Sequence, residues 1–165
     1  MYNYYERISR DYKLLTQRLI DRGIRISTME SATGGLISSL ITDTEGASAI
    51  FRGSYVTYSN ETKIKCGVPV DVITEKGVYS LETAEAMAST CRREFLANIG
   101  IGITGTTGNI DPENEDGVPG QIFFAIDYDG QVNSYVRQLV PRGTRFEYKM
   151  AVADEIVQEL LRLIE

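Results

Sequence analysis

With 165 residues, 42% hydrophobic and 24% charged, the chain has the size and balance of one globular domain, and no stretch approaches the ~20 apolar residues needed to cross a bilayer. Its net charge of −6 argues against a nucleic-acid partner, which is held chiefly through clustered Lys and Arg. There is no histidine, and the only cysteines are Cys66 and Cys91; a Ser-His-Asp triad, a Cys-His dyad and an imidazole zinc site are excluded, and the two thiols read as buried and unpaired.

The chain opens with Glu6, Arg7, Arg10, Asp11 and Lys13 scattered among apolar positions. It therefore lacks the uninterrupted apolar core of a secretory signal and predicts a cytoplasmic protein. Tyr5, Ile8, Leu14, Leu15, Leu19 and Ile20 recur at helical spacing over residues 3–22, with Gly23 placed as C-cap. Residues 23–28 alternate as a strand, 31–35 form a loop, and 36–43 resume a helical period. After a turn at Arg52-Gly53, residues 54–59 are rich in β-formers and predict a second strand. Asn60 is placed to cap a short helix through Lys63 to Cys66, and Pro69-Val70-Asp71 to start another that ends near Gly77.

Ser80 is the expected N-cap of the next helix, whose buried stripe is Ala84, Met87, Ala88, Cys91 and Phe95. Ile99–Thr104 is a glycine-rich strand of the kind that lets a backbone or ligand approach closely. A glycine- and acid-rich loop, 105–120, follows. Strands 121–128 and 131–139 flank Asp129-Gly130, a hairpin dipeptide, and 144–164 form the last helix. The order predicts one α/β domain over residues 1–165: a three-layer α/β/α sandwich around a mixed, mostly parallel sheet.

In such a sheet ligands bind beyond the carboxyl ends of strands, here after Thr28, Ser59 and Thr104. Ser31 at the first of these turns is either a helix-capping residue or a nucleophile. Without histidine, a lysine with a neutral amine is the usual partner for such a serine, and Lys63 is the candidate; the plainer alternative is a surface lysine paired with Glu61. Tyr58 can relay a proton or be an ordinary strand aromatic, Asn60 can cap or bind substrate, and Ser48 can cap unless the fold sets it beside Ser31. The amides of Thr33, Gly34 and Gly35 can face an oxyanion or a phosphate.

Taken together, Glu30-Ser31-Ala32-Thr33-Gly34-Gly35, Gly53-Ser54-Tyr55-Val56-Thr57-Tyr58-Ser59-Asn60 with Lys63, Gly77-Val78-Tyr79-Ser80 and Ile103-Thr104-Gly105 resemble, in order and spacing, the family of the competence-damage-inducible protein's C-terminal domain. The resemblance runs from about residue 5 to the end of the chain. It implies an anticodon-binding-domain-like topology in a free-standing nicotinamide-nucleotide amidase, which turns nicotinamide mononucleotide into nicotinate mononucleotide and ammonia without metal or cofactor. It also implies Ser31 as nucleophile, Lys63 as base, Tyr58 and Ser48 beside them, and Arg145 on the phosphate or ring side; Thr33, Gly34, Gly35, Asn60, Thr104 and Gly105 complete the expected substrate-binding set.

The chain departs from the family pattern at three places. Ala32 replaces a usual cysteine, Gly105-Thr106-Thr107-Gly108-Asn109 replaces Gly-Ile-Ala-Gly-Pro, and Gly117-Val118-Pro119-Gly120 replaces Lys-Pro-Val-Gly. The last two leave Asp111, Glu113, Glu115 and Asp116 in a loop without the usual lysine, where they would repel a phosphate unless they face solvent. The second reading is therefore a non-catalytic or retuned domain that binds a nucleotide or a protein. The resemblance also implies a homo-oligomer, with no membrane or nucleic-acid partner.

Overall fold

The computed structural model describes residues 2–165, with all but the side chain of Tyr2 accounted for. Helix α1 (Tyr2–Arg22) leads to β1 (Ile26–Glu30), α2 (Leu36–Thr42), a 3-10 turn at Ala47–Ala49 and β2 (Phe51–Val56). Two short helices, α3 (Asn60–Lys65) and α4 (Val70–Lys76), precede α5 (Leu81–Glu94) and β3 (Ile99–Gly105). The hairpin β4 (Gln121–Tyr128) and β5 (Gln131–Gln138) and helix α6 (Arg145–Leu163) complete the domain.

The sheet order is β2-β1-β3-β4-β5. β1 pairs in parallel with β2 and β3, while β4 is antiparallel to both its neighbours, so four of five strands run the same way. One face of the sheet packs Ile8, Tyr12, Leu15 and Leu19 of α1 and Met150, Ile156, Val157 and Leu160 of α6 against Ile99, Ile101, Ile103, Ile122 and Phe124. The other face carries α5 and α4, with Met87, Cys91, Ile73 and Val78 against Met29. This is the expected three-layer α/β fold, and none of its helices is long and apolar enough to cross a membrane.

Close approach explains the glycines of β3. A β-carbon on Gly100 or Gly102 would fall 2.1 Å from the Ala88 or Ala84 carbonyl, so α5 lies directly on the strand. The neighbour is another backbone.

Several boundaries differ from expectation. β1 starts three residues later than predicted and continues through Met29-Glu30, with all five residues buried. A strand flanked by strands and covered on both faces shows no alternation of burial. β2 spans 51–56 rather than 54–59, and Arg52-Gly53 is strand, not turn. Gly53 is there because the Phe95 ring sits where its β-carbon would go, 2.5 Å away. Ser59, not Asn60, caps α3, accepting from Thr62 N–H. In α1 the fully buried tyrosine is Tyr12, whose hydroxyl donates to the Ala153 carbonyl, while Leu14 is 45% exposed. Cys91 is buried, its thiol pushed up to about 12 by that burial, but Cys66 is only partly buried.

The caps of α5 and α6 follow local chemistry. Ser80 accepts from Thr83 N–H, and Thr144 and Glu147 form a reciprocal capping box. Asp129 and Gly130 both have positive φ, as the tight hairpin requires.

Candidate active site

Register brings the site together. Glu30 is level with Val56 on one side and with Ile103 on the other, so Ser31, Thr57 and Thr104 stand next to one another at the same end of the sheet. A cavity of about 700 Å³ opens there, lined in part by Ser31, Ala32, Tyr58, Tyr79, Gly105 and Arg145.

Thr57 turns the chain out of β2, Ser59 caps α3, and the second turn of that short helix carries Lys63 back under the strand ends. Lys63 is 1% exposed. Its Nζ lies 3.1 Å from Ser31 Oγ and donates to the Thr57 carbonyl at 2.9 Å. No carboxylate forms an ion pair with it among the described residues, and burial lowers its pKa from 10.5 to about 8, against an upward pull from the charge of Asp111. The surface pairing with Glu61 is thereby overturned. A serine that lines a cavity, in hydrogen-bond contact with a buried amine whose pKa is lowered to about 8, can carry out nucleophilic acyl transfer.

The turn after β1 is built around Glu30, which is fully buried. Its carboxylate accepts from the N–H groups of Gly35, Ile37 and Ser38 and from the hydroxyls of Thr28, Thr33 and Ser38, at 2.6 to 3.1 Å. The Thr33 hydroxyl and the Gly35 amide therefore hold the turn rather than a ligand, and Gly34 N–H closes it onto the Ser31 carbonyl. The expected oxyanion role of Gly34 and Gly35 does not fit, because their donors are already engaged. The amides of Ala32 and Thr33 have no acceptor among the described residues and remain as donors next to Ser31.

The other expected residues divide. Arg145, the first residue of α6, lines the cavity and donates to the Tyr58 hydroxyl at 3.0 Å. Tyr58 is 65% exposed and its hydroxyl meets this arginine, not Lys63, so it joins the rim to α6 rather than holding the amine. Gly105 lines the cavity, and its φ of +143° and a β-carbon 2.5 Å from the Gln121 carbonyl explain the glycine. Thr104 is fully buried and donates to the Val78 carbonyl. Asn60 donates to Asn114 and fastens loop 106–119 to α3.

Ser48 does not join them. It is exposed in the 3-10 turn before β2, at the amino end of the parallel strands, and the five residues of β1 put roughly 15 Å of sheet between it and Ser31.

Tyr79, Thr106, Thr107 and Asp111, which the sequence places in motifs or in the acidic loop without a site role, all line the cavity, and Lys149 was not expected there at all. A β-carbon on Gly34 would fall 3.2 Å from the Lys149 amine, which lies one turn along α6 from Arg145. The i, i+4 spacing of Arg145 and Lys149 was the only signal that could have found it.

The family model for the CinA C-terminal domain matches residues 10–164. A CinA-like protein of Gemmatimonas aurantiaca is 37% identical over 142 residues, covering 86% of this chain and 32% of that protein. The chain spans about a third of the length of the curated relatives it matches. Among solved structures, a competence-damaged protein (CinA) superfamily protein from Escherichia coli superposes with a TM-score of 0.84 at 28% identity, over 94% of this chain and 90% of that one. The competence/damage inducible protein CihA from Agrobacterium tumefaciens gives 0.81 at 29% identity, over 94% and 96%.

Proposed function

The chain belongs to the CinA C-terminal domain family, and from that premise we propose that it is an amidase hydrolysing the carboxamide of nicotinamide mononucleotide by a serine–lysine mechanism. The observation that carries the reading is the 3.1 Å contact between Ser31 Oγ and the buried amine of Lys63. In its neutral form that amine takes the hydroxyl proton as Oγ attacks the carboxamide carbon. The tetrahedral oxyanion is held by the amides of Ala32 and Thr33, each such donor contributing about 3 kcal/mol in hydrolases. Lys63 then passes its proton to the departing nitrogen, ammonia leaves, and an ester to Ser31 remains. Water attacks the ester carbonyl with Lys63 again taking the proton, and the carboxylate leaves as Oγ is reprotonated.

Arg145 stands on the α6 side of the cavity with no carboxylate bound to it among the described residues, and Lys149 follows on the same helix face. Those two cations are where the phosphate of the substrate would be held. Asp111 and Glu113 of the acidic loop line the same cavity.

Ammonia release from nicotinamide mononucleotide tests the proposal. Ser31→Ala and Lys63→Ala are each expected to lose about a thousandfold or more in kcat/KM. In the wild type kcat/KM should rise with pH to a plateau, with a midpoint near 8, because only the neutral amine is a base. Equal background release from all three proteins overturns the amidase reading and leaves the domain a binding module.

A further inference from the structure

Loop 106–119 brings negative charge into the same cavity that Arg145 lines. Asp111 and Glu113 both line the cavity, and the Asp111 carboxylate is held within its loop and by one bond from outside it: it accepts from Asn114 Nδ2 at 2.9 Å, from Glu113 N–H at 3.0 Å and from the Tyr79 hydroxyl at 3.3 Å. These donors also hold its carboxyl below the usual carboxylate range. Its charge is felt at Lys63, where it opposes loss of the proton.

An anion whose charge reaches a lysine base works against that base unless a cation offsets it. One side chain in the same wall points to an occupant. Thr107 is 3% exposed and lines the cavity, and its hydroxyl has no hydrogen-bond partner among the described residues, whereas the neighbouring Thr106 hydroxyl lies against Tyr79. Buried hydroxyls are ordinarily paired. An ionised carboxylate accepts but cannot donate, so this wall suits a cation or a donor-bearing group and repels a phosphate.

We propose that Asp111, with Glu113 beside it, holds the positively charged pyridinium ring of the substrate and sets the specificity of the cavity for cationic over neutral rings; this rests on the amidase reading above. The two walls then match a substrate of separated charge, with its ring on the acidic side and its phosphate toward Arg145. A cation seated against Asp111 also screens that carboxylate from Lys63 and favours the neutral base. The acidic loop thus becomes a recognition element instead of an obstacle.

Binding tests this without reading turnover. The full-length Ser31→Ala protein is titrated calorimetrically with nicotinamide mononucleotide and with its dihydro form, which differs in ring charge while keeping the carboxamide, ribose and phosphate. The cationic form is expected to bind about tenfold more tightly, the order of one charge pair in a partly solvated site. Adding Asp111→Asn should bring the ratio to within about threefold, and adding Glu113→Gln, at an exposed position, should lower it partway.

A ratio near one in the Ser31→Ala protein, a ratio unmoved by both substitutions, or no binding of either compound overturns the proposal. If the Asp111→Asn protein does not fold, the ratio in Ser31→Ala and its change in Glu113→Gln decide the matter. Failure of the amidase reading would appear instead in the ammonia assay, where wild-type protein is used.

Discussion

Lys63 is unusual as a residue before it is considered as a base. Its ammonium group is buried at 1% exposure with a backbone carbonyl and a hydroxyl for partners, and the folded protein therefore prefers it neutral. Below pH 8 both the folded and the unfolded chain carry the proton, and the folded state bears the whole penalty, about 3 kcal/mol for the drop from 10.5 to about 8. Between about pH 8 and 10.5 the unfolded chain binds more protons than the folded one, so this contribution to stability improves as pH rises, and above 10.5 the penalty is gone. Lys63→Met should consequently be inactive yet more stable than wild type by about 1–3 kcal/mol at pH 7. Urea unfolding at pH 7 and pH 10 checks the point: the gap should narrow at the higher pH, and a constant gap would mean that the amine is not buried as a cation. Once histidine was ruled out the sequence offered Lys63 as a candidate partner for Ser31, beside a surface pairing with Glu61, but the burial that decides between them was not legible. A lysine on a six-residue helix reads as solvated until the packing around it is known.

Glu30 shows the same limit at the level of an element. It ends β1 and at once serves as the cap of α2, taking three backbone N–H groups and three hydroxyls. Of these amides only that of Gly35 was expected to face a ligand, because glycines before a helix look alike whether they face solvent or an internal carboxylate. Glu30→Gln would turn an NH2 group toward donors that need an acceptor, and should reduce stability by about 2–4 kcal/mol in urea unfolding. Because Ser31 is the next residue, activity should fall with it even where the protein still folds. A change below about 0.5 kcal/mol would show that water replaces the carboxylate. Elements whose ends depend on near neighbours were read more accurately: Ser80 with Thr83, Pro69 before α4, and Asp129-Gly130 all act within three or four residues. β1 and β2 were misplaced by two or three residues because their limits are set by partners across the sheet, Phe95 over Gly53 among them.

For the molecule as a whole, the functional end is where rigid and loosely held parts meet. β1 and β3 lie inside the sheet with helices on both faces, whereas residues 109–116 are held by side-chain bonds to Asn60 and Tyr79 and by few backbone ones. Hydrogen exchange should therefore be slowest at the amides of Met29, Ile101 and Ile103 and fastest, outside the chain ends, at 109–116. Equal protection of the two regions would contradict a cavity with one fixed and one adjustable wall. By itself the sequence determined the α/β class, the helices, the caps at Ser80 and Thr144, and the hairpin, and offered Ser31 with Lys63 as one candidate pair among plainer readings, since periodicity, capping and composition act over short distances along the chain. The tertiary structure alone decided that Ser48 lies at the far end of the strands, that Tyr58 answers to Arg145, that Glu30 occupies the glycine turn and that Asp111 faces the cavity. Those relations depend on strand register and layer packing, which join residues tens of positions apart and leave no local trace in the chain.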